Sequence, residues 1–96
     1  MHTVEIREED GTVLERFHDT GEIAALVAEV ADDQSFCCLR FVDPYGNTIF
    51  NSNQAGELAI EITRLADPED VTLASVVEMA DRVAGEVHQY LWLLGD

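Results

Sequence analysis

Lysine is missing from this chain altogether, and its only fixed positive charges are five arginines, Arg7, Arg16, Arg40, Arg64 and Arg82. Twenty aspartates and glutamates stand against them, for a formal net charge of −15 over 96 residues. That sign argues against nucleic acid as a partner, because phosphates need a positive face. It also argues against docking on an anionic membrane leaflet. What remains is a basic protein partner, a salt-rich cytosol, or plain solubility. Arginine without lysine, with acids in excess, resembles a halophile's composition and equally that of a GC-rich genome.

Other shortages narrow the class. Cysteine occurs twice, at the neighbours Cys37 and Cys38. A bond between adjacent residues needs strained geometry, so two reduced, buried thiols are expected. Zinc takes four ligands, and His2, His18 and His88 lack ligand spacing to the cysteine pair. No metal and no other cofactor is expected. The six glycines are scattered singly, without a phosphate-binding loop. No apolar run approaches the roughly 18–20 residues that span a bilayer. The start, Met1-His2-Thr3-Val4-Glu5, has neither the basic region nor the apolar stretch of a signal peptide. A cytoplasmic protein with no membrane partner is the expectation.

The apolar fraction of 47% is ample for one core, and the length fits one domain over residues 1–96. Two β-prone runs, 4–8 and 12–17, flank Asp10-Gly11, a strong hairpin signal. A two-residue turn there sets Glu5 opposite Arg16 and Val4 opposite Phe17. Ile6 then faces Glu15, which spoils the alternation. Asp19 and Glu22 have capping-box spacing ahead of an apolar stripe, Ile23, Leu26, Val27 and Val30.

Residues 36–42 are nearly continuously apolar and read as a covered strand. Asp43-Pro44-Tyr45-Gly46-Asn47 reads as a turn, and Thr48-Ile49-Phe50 returns as a short strand, completing a second hairpin. Asn51, Ser52 and Asn53 are N-cap candidates for a second helix with stripe Ala55, Leu58, Ile62 and Leu65. Glu57, Glu61 and Arg64 fall on a separate polar strip. Asp70 or Thr72 starts a third helix, whose stripe is Leu73, Val76, Val77, Ala80, Val83, Ala84 and Val87. Glu78 and Arg82 have i, i+4 pair spacing on its wet side. The chain closes on an apolar strand from His88. The order β-β-α-β-β-α-α-β predicts an α+β fold. It should hold a mainly antiparallel sheet of about five strands, helices on one face, and residues 36–42 and 90–94 in the centre.

The densest polar cluster is Asp43, Tyr45, Asn47, Asn51, Ser52, Asn53 and Gln54. These residue types serve turns and caps. They also suit a ligand or partner site at a helix N-terminus. His88 has a general base's side chain, but Ser35, Ser52 and Ser75 lack the context of a nucleophile. Tyr90 and Trp92 share one strand face; core packing is the expected role of Trp92.

Residues 39–51, carrying Asp43-Pro44-Tyr45-Gly46-Asn47-Thr48-Ile49-Phe50-Asn51, resemble a segment of a family of small bacterial proteins of unknown function. Those proteins also end in a strand similar to residues 88–96, with its closing Gly95-Asp96. The two segments cover about a quarter of the chain. Asn47 stands where the family usually has Asp. Ser52-Asn53-Gln54 follows Phe50-Asn51 where some members have Leu-Gln. The resemblance implies a fold and a candidate surface, and no activity.

The leading expectation is a non-catalytic, acidic protein-interaction module for a basic protein partner. Small acidic immunity proteins and inhibitors, and DNA mimics, are the pattern for it. Its contact residues would be Asp43, Tyr45, Asn47, Asn51 and Asn53, with acids from the helices. Two alternatives stand beside it: a housekeeping domain with a salt-adapted surface, and an enzyme or small-molecule binder using the 45–53 cluster. An exposed edge strand in the first hairpin leaves a homodimer open.

Overall fold

A computed structural model describes residues 1–95; Asp96, the last residue of the Gly-Asp pair, lies outside the described residues. Strands β1 (Thr3–Glu8) and β2 (Val13–His18) pair antiparallel in the expected register, with Val4 facing Phe17 and Glu5 facing Arg16. The turn is one residue longer than expected. The Gly11 N–H donates to the Glu8 carbonyl at 2.9 Å, and Gly11 takes φ +91°, so Glu9, Asp10 and Gly11 form the loop. A bulge takes up the slip: Val13 faces Arg7, Glu15 faces Ile6, and Leu14 is the extra residue.

Helix α1 (Glu22–Val30) buries the expected stripe, Ile23, Leu26, Val27 and Val30. The expected capping box does not form. Gly21 occupies the N-cap position at φ +110°, and Glu22 turns to the Thr20 hydroxyl. Buried Asp19 accepts the Ile23 N–H at 3.2 Å and the His2 N–H at 3.1 Å, while its own N–H donates to the His2 carbonyl. One carboxylate thus ties the first turn of α1 to the start of β1.

Residues 36–42 are not a strand. They hold a single 3-10 turn, Leu39–Phe41, and bury Phe36, Cys38, Leu39 and Val42. The sheet therefore has four strands rather than about five. The physical reason lies 22 to 24 residues downstream. The N–H groups of Cys37, Cys38 and Leu39 find their acceptor in the Glu61 carboxylate instead of a neighbouring strand.

Four elements complete the chain: β3 (Asn47–Phe50), α2 (Ser52–Leu65), α3 (Val71–Ala84) and β4 (Gln89–Leu94). β3 pairs with β4, and the sheet order is β2-β1-β4-β3, antiparallel throughout. β1 and β4 are central, so of the two runs expected there only 90–94 is. Asn51 and Gln54 close a reciprocal capping box on α2, and Asp70 accepts the Leu73 N–H at 3.0 Å to start α3. In α3, Leu73, Val76, Ala80 and Val83 are buried as expected, and Met79 joins them. Ala84 and Val87 are exposed, since α3 ends at Ala84. Arg82 pairs with Glu15, not Glu78, which explains how β2 tolerates an acid on its helix-facing side.

α2 and α3 pack on each other and on β4. Val4, Ile6, Phe50, Leu91 and Leu93 form the sheet's contribution to the core against Leu58, Ile62, Val76 and Val83. Burying each of the larger side chains stabilises the fold by about 1.5–3 kcal/mol. Gly95 closes the far end. Its N–H donates to the Gly46 carbonyl at 2.8 Å, and a Cβ there would lie 2.7 Å from that oxygen.

Candidate functional site

The expected polar cluster divides along β3. Asp43, Tyr45 and Asn47 sit at its start; Asn51 and Asn53 sit beyond its end. Four residues of strand separate them by about 13 Å. Asp43 is occupied with backbone: its carboxylate accepts the Tyr45 N–H at 2.8 Å, and its N–H donates to the Thr48 hydroxyl at 2.9 Å. Its carbonyl accepts from His2 Nε2 at 3.1 Å. Asn51 is the α2 cap. Tyr45, at 82% exposure, presents its ring to solvent, and Asn47 and Asn53 are exposed. His88 is not with them. It pairs with Glu9 at 3.0 Å, at the opposite end of β4 from Leu94, the partner of Asn47.

Two clusters lie outside the expected polar cluster, and of their contacts only Glu5 opposite Arg16 was expected. The first centres on Glu61, expected on a wet strip and found 2% exposed. Its Oε1 accepts the Leu39 N–H at 2.7 Å, its Oε2 the Cys37 N–H at 2.9 Å, and both reach the Cys38 N–H at 3.3 Å. The signal was its spacing, three residues after Leu58 and four before Leu65, inside the apolar stripe. Cys37 is exposed rather than buried, and its Sγ donates to Glu61 Oε2 at 3.4 Å. Cys38 is buried, and burial, then the nearby Glu61 charge, pushes its thiol up to about 12. The ligand atoms of Cys37, Cys38 and Glu61 lie within 4.8 Å of one another. They do not fit a metal: both carboxylate oxygens already hold backbone N–H groups, and Cys38 keeps its proton. The arrangement anchors a loop.

The second cluster lies on the sheet face away from the helices. Glu5, 2% exposed, holds Arg7 and Arg16, with Arg16 Nε donating at 2.6 Å and Arg7 Nε at 2.8 Å. Burial pushes the Glu5 carboxyl up. Hydrogen bonds and charges from Arg16 and Arg7 outweigh it and hold the group below the usual carboxylate value. The Arg7 guanidinium stacks 3.9 Å from the centroid of Trp92. Trp92 is therefore not a core residue: Leu91 and Leu93 take the core side, and alternation turns Tyr90 and Trp92 to the open side.

No family model matches this chain, and no curated protein and no solved structure matches it.

Charge completes the picture. Besides Arg7 and Arg16 on Glu5, Arg82 is on Glu15, Arg40 stacks on Phe41 and Arg64 on Phe36. Every arginine is engaged within the molecule. Exposed carboxylates remain at the first turn (Glu8, Glu9, Asp10), around the end of α1 (Glu29, Asp32, Asp33), between α2 and α3 (Asp67, Glu69), and on α3 (Glu78, Asp81). Strand β3 and the Pro44–Gly46 turn meet the end of the chain through the β3–β4 ladder and the Gly95–Gly46 bond.

Proposed function

We propose that this chain is a non-catalytic interaction module that captures a basic protein partner. One observation carries the reading: Arg7, Arg16 and Arg82 are spent on Glu5 and Glu15, so most of the exposed carboxylates face solvent without an arginine ion pair. Such a surface raises the on-rate of a basic partner by orders of magnitude and loses that advantage in salt. Tyr45, Asn47 and Asn53 are free to add contacts; Asp43 and Asn51 contribute through the backbone they hold. An inhibitor-like role fits this chemistry. A pull-down from host lysate, run against excess cytochrome c as a generic basic competitor, tests it. Retention at physiological ionic strength of a partner the competitor does not displace supports the reading. If nothing survives the competitor, specific capture is wrong.

The dispersal of the carboxylates over several surfaces favours a second reading, acidity as adaptation to a saline cytosol. A melting temperature that climbs steadily in potassium chloride, as self-repulsion is screened, supports it; a flat response sinks it.

A further inference from the structure

A groove of about 380 Å³ opens on the outer sheet face, between the first hairpin turn and strands β3 and β4. Its walls are Glu8, Glu9, Gly11, Ile49, Tyr90 and Trp92. We infer that this groove is the seat for a cationic side chain, an arginine above all, presented by the basic partner. The inference rests on the partner reading above and gives it a location.

Three observations carry it. Two aromatic rings and an isoleucine that is 46% exposed form an apolar floor. Glu8 and Glu9 stand on one wall, Glu9 with His88 Nδ1 at 3.0 Å from one of its two oxygens, so the groove is apolar below and negative at its edge. A guanidinium with its aliphatic stem matches that profile in both parts. Finally, Trp92 already accepts one guanidinium, that of Arg7, which is not among the groove's walls. Arg7 and Arg16 share the Glu5 carboxylate, which leaves one positive charge on this face, and the Glu8 and Glu9 carboxylates at the groove outnumber it. The groove floor, Ile49, Tyr90 and Trp92, comes from two paired strands, so the seat is held by the sheet rather than by a loop.

The chain has a single tryptophan, so its emission reports on this groove alone. The experiment titrates the whole protein at low salt with a blocked tri-arginine peptide, and with tri-citrulline as the uncharged counterpart. A saturable change in Trp92 emission with tri-arginine only is expected. Tyr90→Ala and the double variant Glu8→Gln/Glu9→Gln should each weaken binding about fivefold or more. Glu57→Gln/Glu69→Gln, which removes the same charge on the helical side, should leave it within about twofold. Circular dichroism confirms that each variant folds, and the two acidic pairs lie at exposed positions where folding is undemanding. Equal weakening by both double variants, or an unchanged Trp92 emission while tri-arginine binds, overturns the seat and leaves the broader partner reading standing. No binding of tri-arginine at all also overturns the seat, and the competitor pull-down then judges the broader reading independently.

Discussion

Replacing Glu61 with glutamine changes the side chain's volume hardly at all, yet it should be among the most damaging single substitutions in the chain. The wild-type carboxylate accepts from three consecutive backbone N–H groups, at 2.7 Å from Leu39, 2.9 Å from Cys37 and 3.3 Å from Cys38. An amide keeps one accepting oxygen and turns an NH2 toward the remaining donors. At least one charge-assisted bond is lost, and one buried N–H is left facing another donor. The combined cost is about 2–4 kcal/mol, a large share of the 5–15 kcal/mol typical of a whole domain. The melting temperature should fall by roughly 10–30 °C. Urea unfolding followed by circular dichroism gives the free energy directly. The exposed neighbour Glu57→Gln, one turn earlier on α2, should change it by less than about 0.5 kcal/mol. A Glu61→Gln loss as small as that of Glu57→Gln would refute the reasoning, and with it the account of why residues 36–42 are not a strand.

Three further outcomes follow from the same geometry. A thiol reagent at neutral pH should label exposed Cys37 readily and Cys38 only when the chain opens, because burial holds that thiol near 12; equal labelling rates in the native protein would contradict this. Glu5, whose folded value is depressed, stabilises the fold above its unfolded value of 4.5 and loses that contribution as pH falls through the folded value. Glu5→Gln should therefore lose less stability than wild type between neutral pH and pH of about 3, and parallel pH–stability curves would remove the Arg7–Glu5–Arg16 explanation. Gly95→Ala puts a Cβ 2.7 Å from the Gly46 carbonyl and 2.8 Å from Pro44, all backbone atoms that yield poorly. A loss of about 1–3 kcal/mol is expected, read by thermal melting, and a neutral variant would mean the turn slides aside.

Much of the local structure was legible in the sequence. Asp10-Gly11 fixed the pairing of Val4 with Phe17 even though the loop gained a residue, because the helix-facing pattern of β1 constrains register more strongly than the turn does. The stripes of α1 and α2, that of α3 as far as Val83, and the caps at Asn51 and Asp70 followed from 3.6-residue spacing and cap chemistry. The failures share a cause. A buried apolar run looks alike as a strand or as a turn, and what decided residues 36–42 was a carboxylate far along the chain. Alternation correctly put Tyr90 and Trp92 together, but which side the helices would cover was a tertiary choice, and Leu91 with Leu93 won it. The polar cluster of 43–53 was real as a list of turn and cap residues. Its members serve two ends of one short strand, and spacing alone could not reveal that.

Asp19 has a kinetic consequence of its own. Its carboxylate bridges the amides of His2 and Ile23, seventeen residues apart on one side and four on the other. Neither amide can meet solvent deuterium without disturbing the shared acceptor, so the two should exchange in step. The leading strand and the first helix would then open together as one unit.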